Sequence, residues 1–186
     1  MVHLDQDLAF VEAMSAELKS YLLADELYWP LRGPGGVLPQ GTLGGLLLRL
    51  HRLATLGDQL TPEERMRVTE LAGQVQDELS TWGVQVDARL KREARARLRG
   101  WTQYLDELEQ NPDRYAPDYR AQVEGRTVLA LLLERLEGLP DLAQELAALD
   151  SRLRGLTEPG PFVWDEAQQA AFPPGRFWWL YVQPVI

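Results

Sequence analysis

The chain has 186 residues, no cysteine, 45% hydrophobic and 25% charged residues, and a formal net charge of −9. This length and composition suit one soluble globular domain, while the absence of cysteine excludes disulfides and thiolate chemistry. The net charge disfavours nucleic-acid binding by the whole surface. The first residues lack the features of a signal peptide, and no apolar run reaches the roughly 18 residues of a membrane span. We therefore expect a cytoplasmic protein without membrane contact.

The first predicted helix covers residues 4–28, where apolar side chains recur at helical spacing. Residues 29–41 follow as a loop rich in glycine and proline. A phosphate-binding loop is rejected, because no Gly-Lys-Ser/Thr follows these glycines and no strand precedes them. We expect instead an ordered loop that Trp29, Val37 and Leu38 hold against the core.

The organising element is a long helix, predicted over about residues 62–110. Thr61 supplies an N-cap hydroxyl before a proline and two glutamates, and Pro112 cannot continue a helix. Between these signals apolar residues recur about every 3.6 positions, which is the period of a straight helix. The segment is therefore one helix or two helices nearly end to end, with Gly83 as the expected break.

Three further helices complete the prediction, over residues 42–56, 117–137 and 141–155. The first two carry apolar residues on most sides, which is typical of helices buried centrally. The predicted fold class is all-α: an up-down bundle of four or five helices in residues 1–156, closed by an irregular aromatic tail of residues 157–186 that packs back on it. At most one short extended segment is expected, in that tail.

A basic stripe on the long helix is the sharpest feature of the sequence. Residues 88–100 hold six basic side chains and one acidic one, Glu93. Four of the basic residues fall opposite the apolar side of the helix: Lys91, Arg92, Arg95 and Arg99. Three interpretations stay open, namely a solvated face, docking to an acidic helix or second subunit, and phosphate contact.

Arg97 differs from the rest of the basic stripe. Its position on the helix lies within about 20° of Leu90, on the apolar side. A charged group there needs a carboxylate or several carbonyl groups, so we expect Arg97 to be at least partly buried and paired. The alternative is a side chain that snorkels at the edge of the apolar stripe.

The aromatic tail carries the second candidate site, the adjacent Trp178 and Trp179. In one interpretation both rings fill the open groove of the bundle. In the other, one tryptophan stays exposed as an interface anchor, since tryptophan is a typical hot-spot residue. Adjacent residues of an extended chain point to opposite faces, so we predict that one ring is core and the other interface.

Signatures of catalysis are missing from the sequence. The only histidines are His3 and His51, and Leu48 stands where a Glu-x-x-His metal motif needs glutamate. The serines lie in helical stretches without a nucleophile elbow. The acidic pair 63–64 is explained by the helix N-terminus, and the pair 106–107 is expected to bind a basic neighbour. We predict no catalytic residue, metal or cofactor and favour a non-enzymatic protein.

Three functional hypotheses remain. The first is a helical protein that acts through protein contacts and self-associates as a homo-oligomer. The second is nucleic-acid contact through the stripe from Arg89 to Arg99, with strong salt dependence. The third is a pocket for a small ligand or substrate between predicted helices one, two and four.

Overall fold

The computed structural model describes residues 4–33, 35–136 and 139–185. It is 75% helical, so the predicted all-α class is confirmed. The α-helices of the described residues are α1 (Leu4–Leu23), α2 (Leu43–Thr55), α3 (Pro62–Thr81), α4 (Gly83–Gln110), α5 (Pro112–Tyr115), α6 (Tyr119–Arg135) and α7 (Pro140–Leu156). Two antiparallel ribbons join β1 (Arg32–Gly33) to β2 (Gly36–Val37) and β3 (Thr157–Pro159) to β4 (Val182–Pro184).

The chain divides into two compact units, Met1–Glu93 and Ala94–Ile186, and the division falls inside α4. The up-down order of the bundle and the boundary between residues 1–156 and a tail of 157–186 stay predictions. Helices one, two and four of the sequence prediction correspond to α1, α2 and α6, which belong to different units. The ligand pocket predicted between them therefore also stays a prediction.

The long helix predicted over residues 62–110 is present as α3 and α4, separated by a turn at Trp82. Trp82 has φ −106° and ψ 32°, and its N–H donates to the Glu78 carbonyl at 3.0 Å. Its own carbonyl accepts from the Val86 N–H at 2.9 Å. The break thus lies one residue before the predicted Gly83, which begins α4.

Both ends of this segment have the predicted signals. At the start, the Thr61 hydroxyl accepts from the Glu64 N–H at 3.2 Å, and the Glu64 carboxylate accepts from the Thr61 N–H at 2.8 Å. At the other end, α4 stops at Gln110, and the Asn111 side chain accepts from the Arg114 N–H to begin α5. These local hydrogen bonds satisfy backbone groups that a helix end leaves without partners.

The loop over residues 29–41 is folded as a hairpin, which the sequence did not predict. A bridge between Trp29 and Gly41 closes it below β1 and β2. Gly36 has φ +116°, a conformation that favours glycine. The expected anchoring by Val37 is wrong, because this side chain is 86% exposed on the hairpin while Leu31 is buried.

The core of the first unit is formed where α1 packs against α2 and α3. Phe10, Met14 and Leu18 of α1 are fully buried there. Gly41 allows the hairpin to approach α1 closely, since a Cβ atom at this residue would lie 2.6 Å from the Met14 sulfur. The first predicted helix therefore buries its apolar side inside the first unit.

The tail is ordered within the second unit. The Asp165 side chain accepts from the Ala167 N–H and caps a 3₁₀ helix over Glu166–Ala171. A second 3₁₀ turn spans Trp178–Tyr181, and β4 then pairs with β3. Two paired strands replace the single extended segment that was predicted.

Among residues 4–33, 35–136 and 139–185, no helix has the length and apolar character that crossing a membrane requires.

Candidate functional site

The first half of the basic stripe is used inside the first unit. Arg92 and Arg89 donate to the carbonyl oxygens of residues 25 and 26, respectively, just beyond the end of α1. Lys91 forms an ion pair with Asp87, one helical turn earlier. These three basic groups therefore bind partners within their own chain, and their charges are less available to an external partner.

The second half of the basic stripe is different. Arg95 and Arg99 are exposed, and neither has an acidic partner in the described part of the chain. Since they lie four residues apart on α4, they are neighbours on one helical face. Arg97 is half-buried, which fits both the paired and the snorkelling interpretation, and its pairing with a carboxylate stays a prediction.

Glu93, the one acidic residue of the stripe, is a buried cap for α2. Its side chain is almost completely enclosed, at 1% exposure, and its carboxylate accepts from the Gly44 N–H at 2.8 Å. The Thr42 hydroxyl accepts from the next amide, Gly45 N–H, at 2.9 Å. A negative charge at a helix N-terminus is favourable, so Glu93 stabilises α2 in a position closed to solvent.

Tyr21 lies beside this buried carboxylate and is held neutral. Burial, reinforced by the charge of Glu93, raises the pKa of Tyr21 to about 12, although Arg89 acts in the opposite direction. The phenol donates to the Leu27 carbonyl at 3.2 Å, and the Arg89 guanidinium lies 4.7 Å from the ring centroid. A neutral, hydrogen-bonded phenol with this pKa is a structural group and not a general base at neutral pH.

A second buried charge network joins α1 to α2. Arg52 donates to both carboxylate oxygens of Asp7, at 2.8 and 2.7 Å. Arg49 lies 3.6 Å from the same carboxylate, and its guanidinium lies 3.9 Å from the centroid of the Phe10 ring. These contacts join α1 to α2 through the Asp7 carboxylate, so both arginines are held in place by the fold.

In the second unit, Trp179 is fixed on every side. Its indole N–H donates to the Thr127 hydroxyl at 3.0 Å, and its carbonyl accepts from the Tyr119 hydroxyl at 2.6 Å. The Arg126 guanidinium lies 3.6 Å from the ring centroid and donates to both carboxylate oxygens of Asp150, at 2.9 and 2.8 Å. Trp179 is therefore the buried half of the tryptophan pair.

Trp178 is the half-exposed member of the tryptophan pair, and an exposed arginine stacks on its ring. The Arg154 guanidinium lies 4.1 Å from the Trp178 ring centroid, while Trp179 meets Trp178 edge to face at 6.1 Å. Arg154 has no acidic partner among the described residues. Trp179 is buried and Trp178 is half-exposed, on a 3₁₀ turn where an extended chain was expected. That Trp178 is an interface residue stays a prediction. We call this site the Trp178–Arg154 pair.

No group of three or more histidine, cysteine or carboxylate side chains that could hold a metal ion occurs in the described residues. No family model, curated protein or solved structure matches this chain. Its function therefore has to be inferred from its own side chains, and the Trp178–Arg154 pair is the best-built exposed candidate.

The buried charges Asp7, Glu93 and Arg126 were not singled out from the sequence. Helix geometry could have identified Glu93 as a residue on the apolar side. It lies seven residues after Val86, and seven residues rotate a helix to within about 20° of the same direction. The same argument that selected Arg97 would have selected Glu93. The partners of these groups lie far away in sequence, so their pairing had no local signal.

Proposed function

We propose that the protein is non-enzymatic and acts through protein contacts, and that it self-associates through the Trp178–Arg154 pair. The observation that carries this proposal is a half-exposed tryptophan with an exposed guanidinium stacked on its ring, 4.1 Å away. Tryptophan and arginine dominate the energetics of protein interfaces. Because the cation has no acidic partner in the described chain, its hydrogen-bond donors are available to a second molecule.

The surroundings of Trp178 favour a protein partner. The neighbouring Trp179 is fixed by hydrogen bonds from its indole and to its carbonyl, so Trp178 lies against a rigid support. A side chain that is already ordered loses little conformational entropy on binding. Arg154 occupies one face of the Trp178 ring, and a nucleobase would have to compete with it for stacking.

Sedimentation equilibrium over a range of concentrations tests the proposal. Trp178→Ala should weaken self-association by about 30-fold, which is the effect of removing an interface anchor worth ~2 kcal/mol. Arg154→Ala should weaken it in the same direction. Circular dichroism of each variant checks that the fold is retained, which we expect because both side chains are at the surface.

Arg114→Ala is the matched control. Arg114 is also an exposed arginine next to an aromatic ring in the second unit, with its guanidinium 5.4 Å from the Tyr115 centroid. Its removal should leave the association constant unchanged. A wild-type protein that stays monomeric at high concentration, or a Trp178→Ala variant that associates like the wild type, would refute the proposed site.

A second candidate function is phosphate contact through Arg95 and Arg99. The specific observation in its favour is that these two arginines are exposed and uncommitted, unlike Lys91 and Arg92. Two phosphate contacts predict a salt dependence with a logarithmic slope near −2, at about −0.9 per contact.

Fluorescence anisotropy with generic duplex and single-stranded oligonucleotides at low salt measures this contact. The double variant Arg95→Ala/Arg99→Ala should abolish the slope, whereas Arg114→Ala should retain it. Absence of wild-type binding at low salt removes nucleic-acid contact as a function.

A further inference from the structure

A groove in the first unit lies between α1 and the start of the hairpin. It has a volume of about 400 Å³, within the range of small-molecule sites. Two small residues of α1, Ala13 and Ala16, and the apolar Trp29 line it. It also contains one acidic and one basic side chain, Glu17 and Arg32. The groove thus combines an aromatic wall, a small-residue surface and charges of both signs.

The wall formed by Trp29 is held in place by its neighbours. Its N–H donates to the Gly41 carbonyl at 2.9 Å, and its carbonyl accepts from the Gly41 N–H at 2.7 Å. Its ring meets that of Tyr21 edge to face, with centroids 6.2 Å apart. Because backbone and ring are both fixed, the groove does not have to be formed by a ligand.

The two charged side chains of this groove form no ion pair or hydrogen bond in the described part of the chain. A second groove of the same unit differs in this respect. That groove, along the first turns of α3, also contains an arginine and a glutamate, Arg65 and Glu70. There Arg65 donates to the Leu60 carbonyl at 2.7 Å, and Glu70 accepts from Arg67 at 2.9 Å. Glu17 and Arg32 have no such partners in the described part of the chain, and they do not pair with each other.

We propose that the groove between α1 and the hairpin binds a small zwitterion, namely a free α-amino acid with an apolar side chain. Glu17 would accept hydrogen bonds from the ammonium group, and Arg32 would donate to the carboxylate, for which its planar fork is suited. The apolar side chain of the ligand would lie against Trp29 and the two alanines. Both charges of the ligand are needed, because each has one counterpart.

Isothermal titration calorimetry with L-phenylalanine as the probe tests this site. L-phenylalanine should bind, whereas N-acetyl-L-phenylalanine and L-phenylalanine amide should each bind at least tenfold more weakly, because each lacks one of the two charges. No heat of binding for L-phenylalanine up to about 10 mM would overturn the proposal.

Two substitutions test which side chain binds which charged group of the ligand. Glu17→Gln should weaken L-phenylalanine about tenfold and leave the N-acetyl derivative unchanged, since this derivative has no ammonium group to lose. Arg32→Gln should weaken L-phenylalanine and leave the amide unchanged. Both side chains are exposed, so the fold should persist, which circular dichroism checks.

Glu70→Gln is the matched control in the second groove and should not affect binding. L-phenylalanine affinity that is the same in the wild type, Glu17→Gln and Arg32→Gln would show that the groove is not the site. These outcomes are independent of the Trp178–Arg154 pair, because the two sites belong to different units.

Discussion

At the residue scale, burial decides what an ion pair contributes. Arg126 and Asp150 form a two-pronged pair with side chains only 5% and 14% exposed. Removing one partner leaves a buried charge without compensation, which costs about 3–5 kcal/mol. We therefore predict that Asp150→Asn or Arg126→Ala lowers the free energy of unfolding by this amount, measured by urea denaturation.

The control is an ion pair of the same geometry at the surface. Arg176 donates to both carboxylate oxygens of Glu134, but the two side chains are 45% and 47% exposed. Exposed pairs contribute at most about 1 kcal/mol. Glu134→Gln should therefore cost far less than Asp150→Asn, and equal losses for the two variants would contradict the role assigned to burial.

The raised pKa of Tyr21 predicts that the free energy of unfolding falls at alkaline pH. Because burial raises its pKa to about 12 in the folded chain, against about 10 when unfolded, the neutral phenol contributes stability that is fully present below pH 10. This contribution is lost as the pH rises from 10 to 12, by about 2 kcal/mol. Burial also raises the pKa of Tyr104 and Tyr119, so they act in the same direction.

Tyr21→Phe isolates this effect. The variant loses the hydrogen bond to Leu27 at every pH, but its stability should fall less steeply between pH 10 and 12 than that of the wild type. Chemical denaturation at a series of pH values measures the two slopes. Tyr104 and Tyr119 are present in both proteins, so the difference between the two slopes belongs to Tyr21. Parallel slopes for the two proteins would exclude Tyr21 as the cause.

At the element scale, the features that depend on neighbouring residues were predicted correctly, and those that depend on distant residues were not. The cap at Thr61 and the interruption beside Gly83 follow from neighbouring residues, and both are present. The ribbon of β3 and β4 joins segments that are far apart in sequence, so no local pattern announces it. The Trp178–Arg154 pair has the same origin, since the tryptophan was predicted as a candidate and its arginine, on α7, was not.

Two glycines of contrasting environment test the description of the helices. Gly100 lies inside α4 and is exposed, and apart from the backbone of its own helix and its two neighbours no atom lies within 4 Å of the place where a Cβ would stand. Gly100→Ala should therefore raise the free energy of unfolding by about 0.5–1 kcal/mol, because alanine loses less entropy on entering a helix. Urea denaturation measures the change.

Gly41→Ala should act in the opposite direction. Its Cβ would lie 2.6 Å from the sulfur of the buried Met14 and 3.0 Å from Leu31, so these core side chains would have to move. Such overpacking costs about 1–3 kcal/mol. A stabilising Gly41→Ala substitution would mean that the hairpin does not approach α1 as closely as described.

At the scale of the whole molecule, net charge separates the two proposed functions. Two copies of a chain with a charge of −9 repel each other, and salt screens this repulsion. Self-association through the Trp178–Arg154 pair should therefore be as strong or stronger when NaCl rises from about 50 to about 500 mM. Oligonucleotide binding by Arg95 and Arg99 should weaken over the same range. Light scattering and anisotropy measure the two trends, and self-association that salt abolishes would oppose an anchor based on Trp178.

The central claim is that Trp178 becomes covered when the protein associates, while the buried Trp179 is unaffected. Fluorine NMR of protein labelled with 5-fluorotryptophan measures this directly, with resonances assigned by Trp178→Phe and Trp179→Phe. As the protein concentration is raised, the Trp178 resonance should shift and lose its sensitivity to solvent, and the Trp179 resonance should stay constant. A Trp178 resonance that is unchanged from the lowest to the highest concentration would contradict the claim.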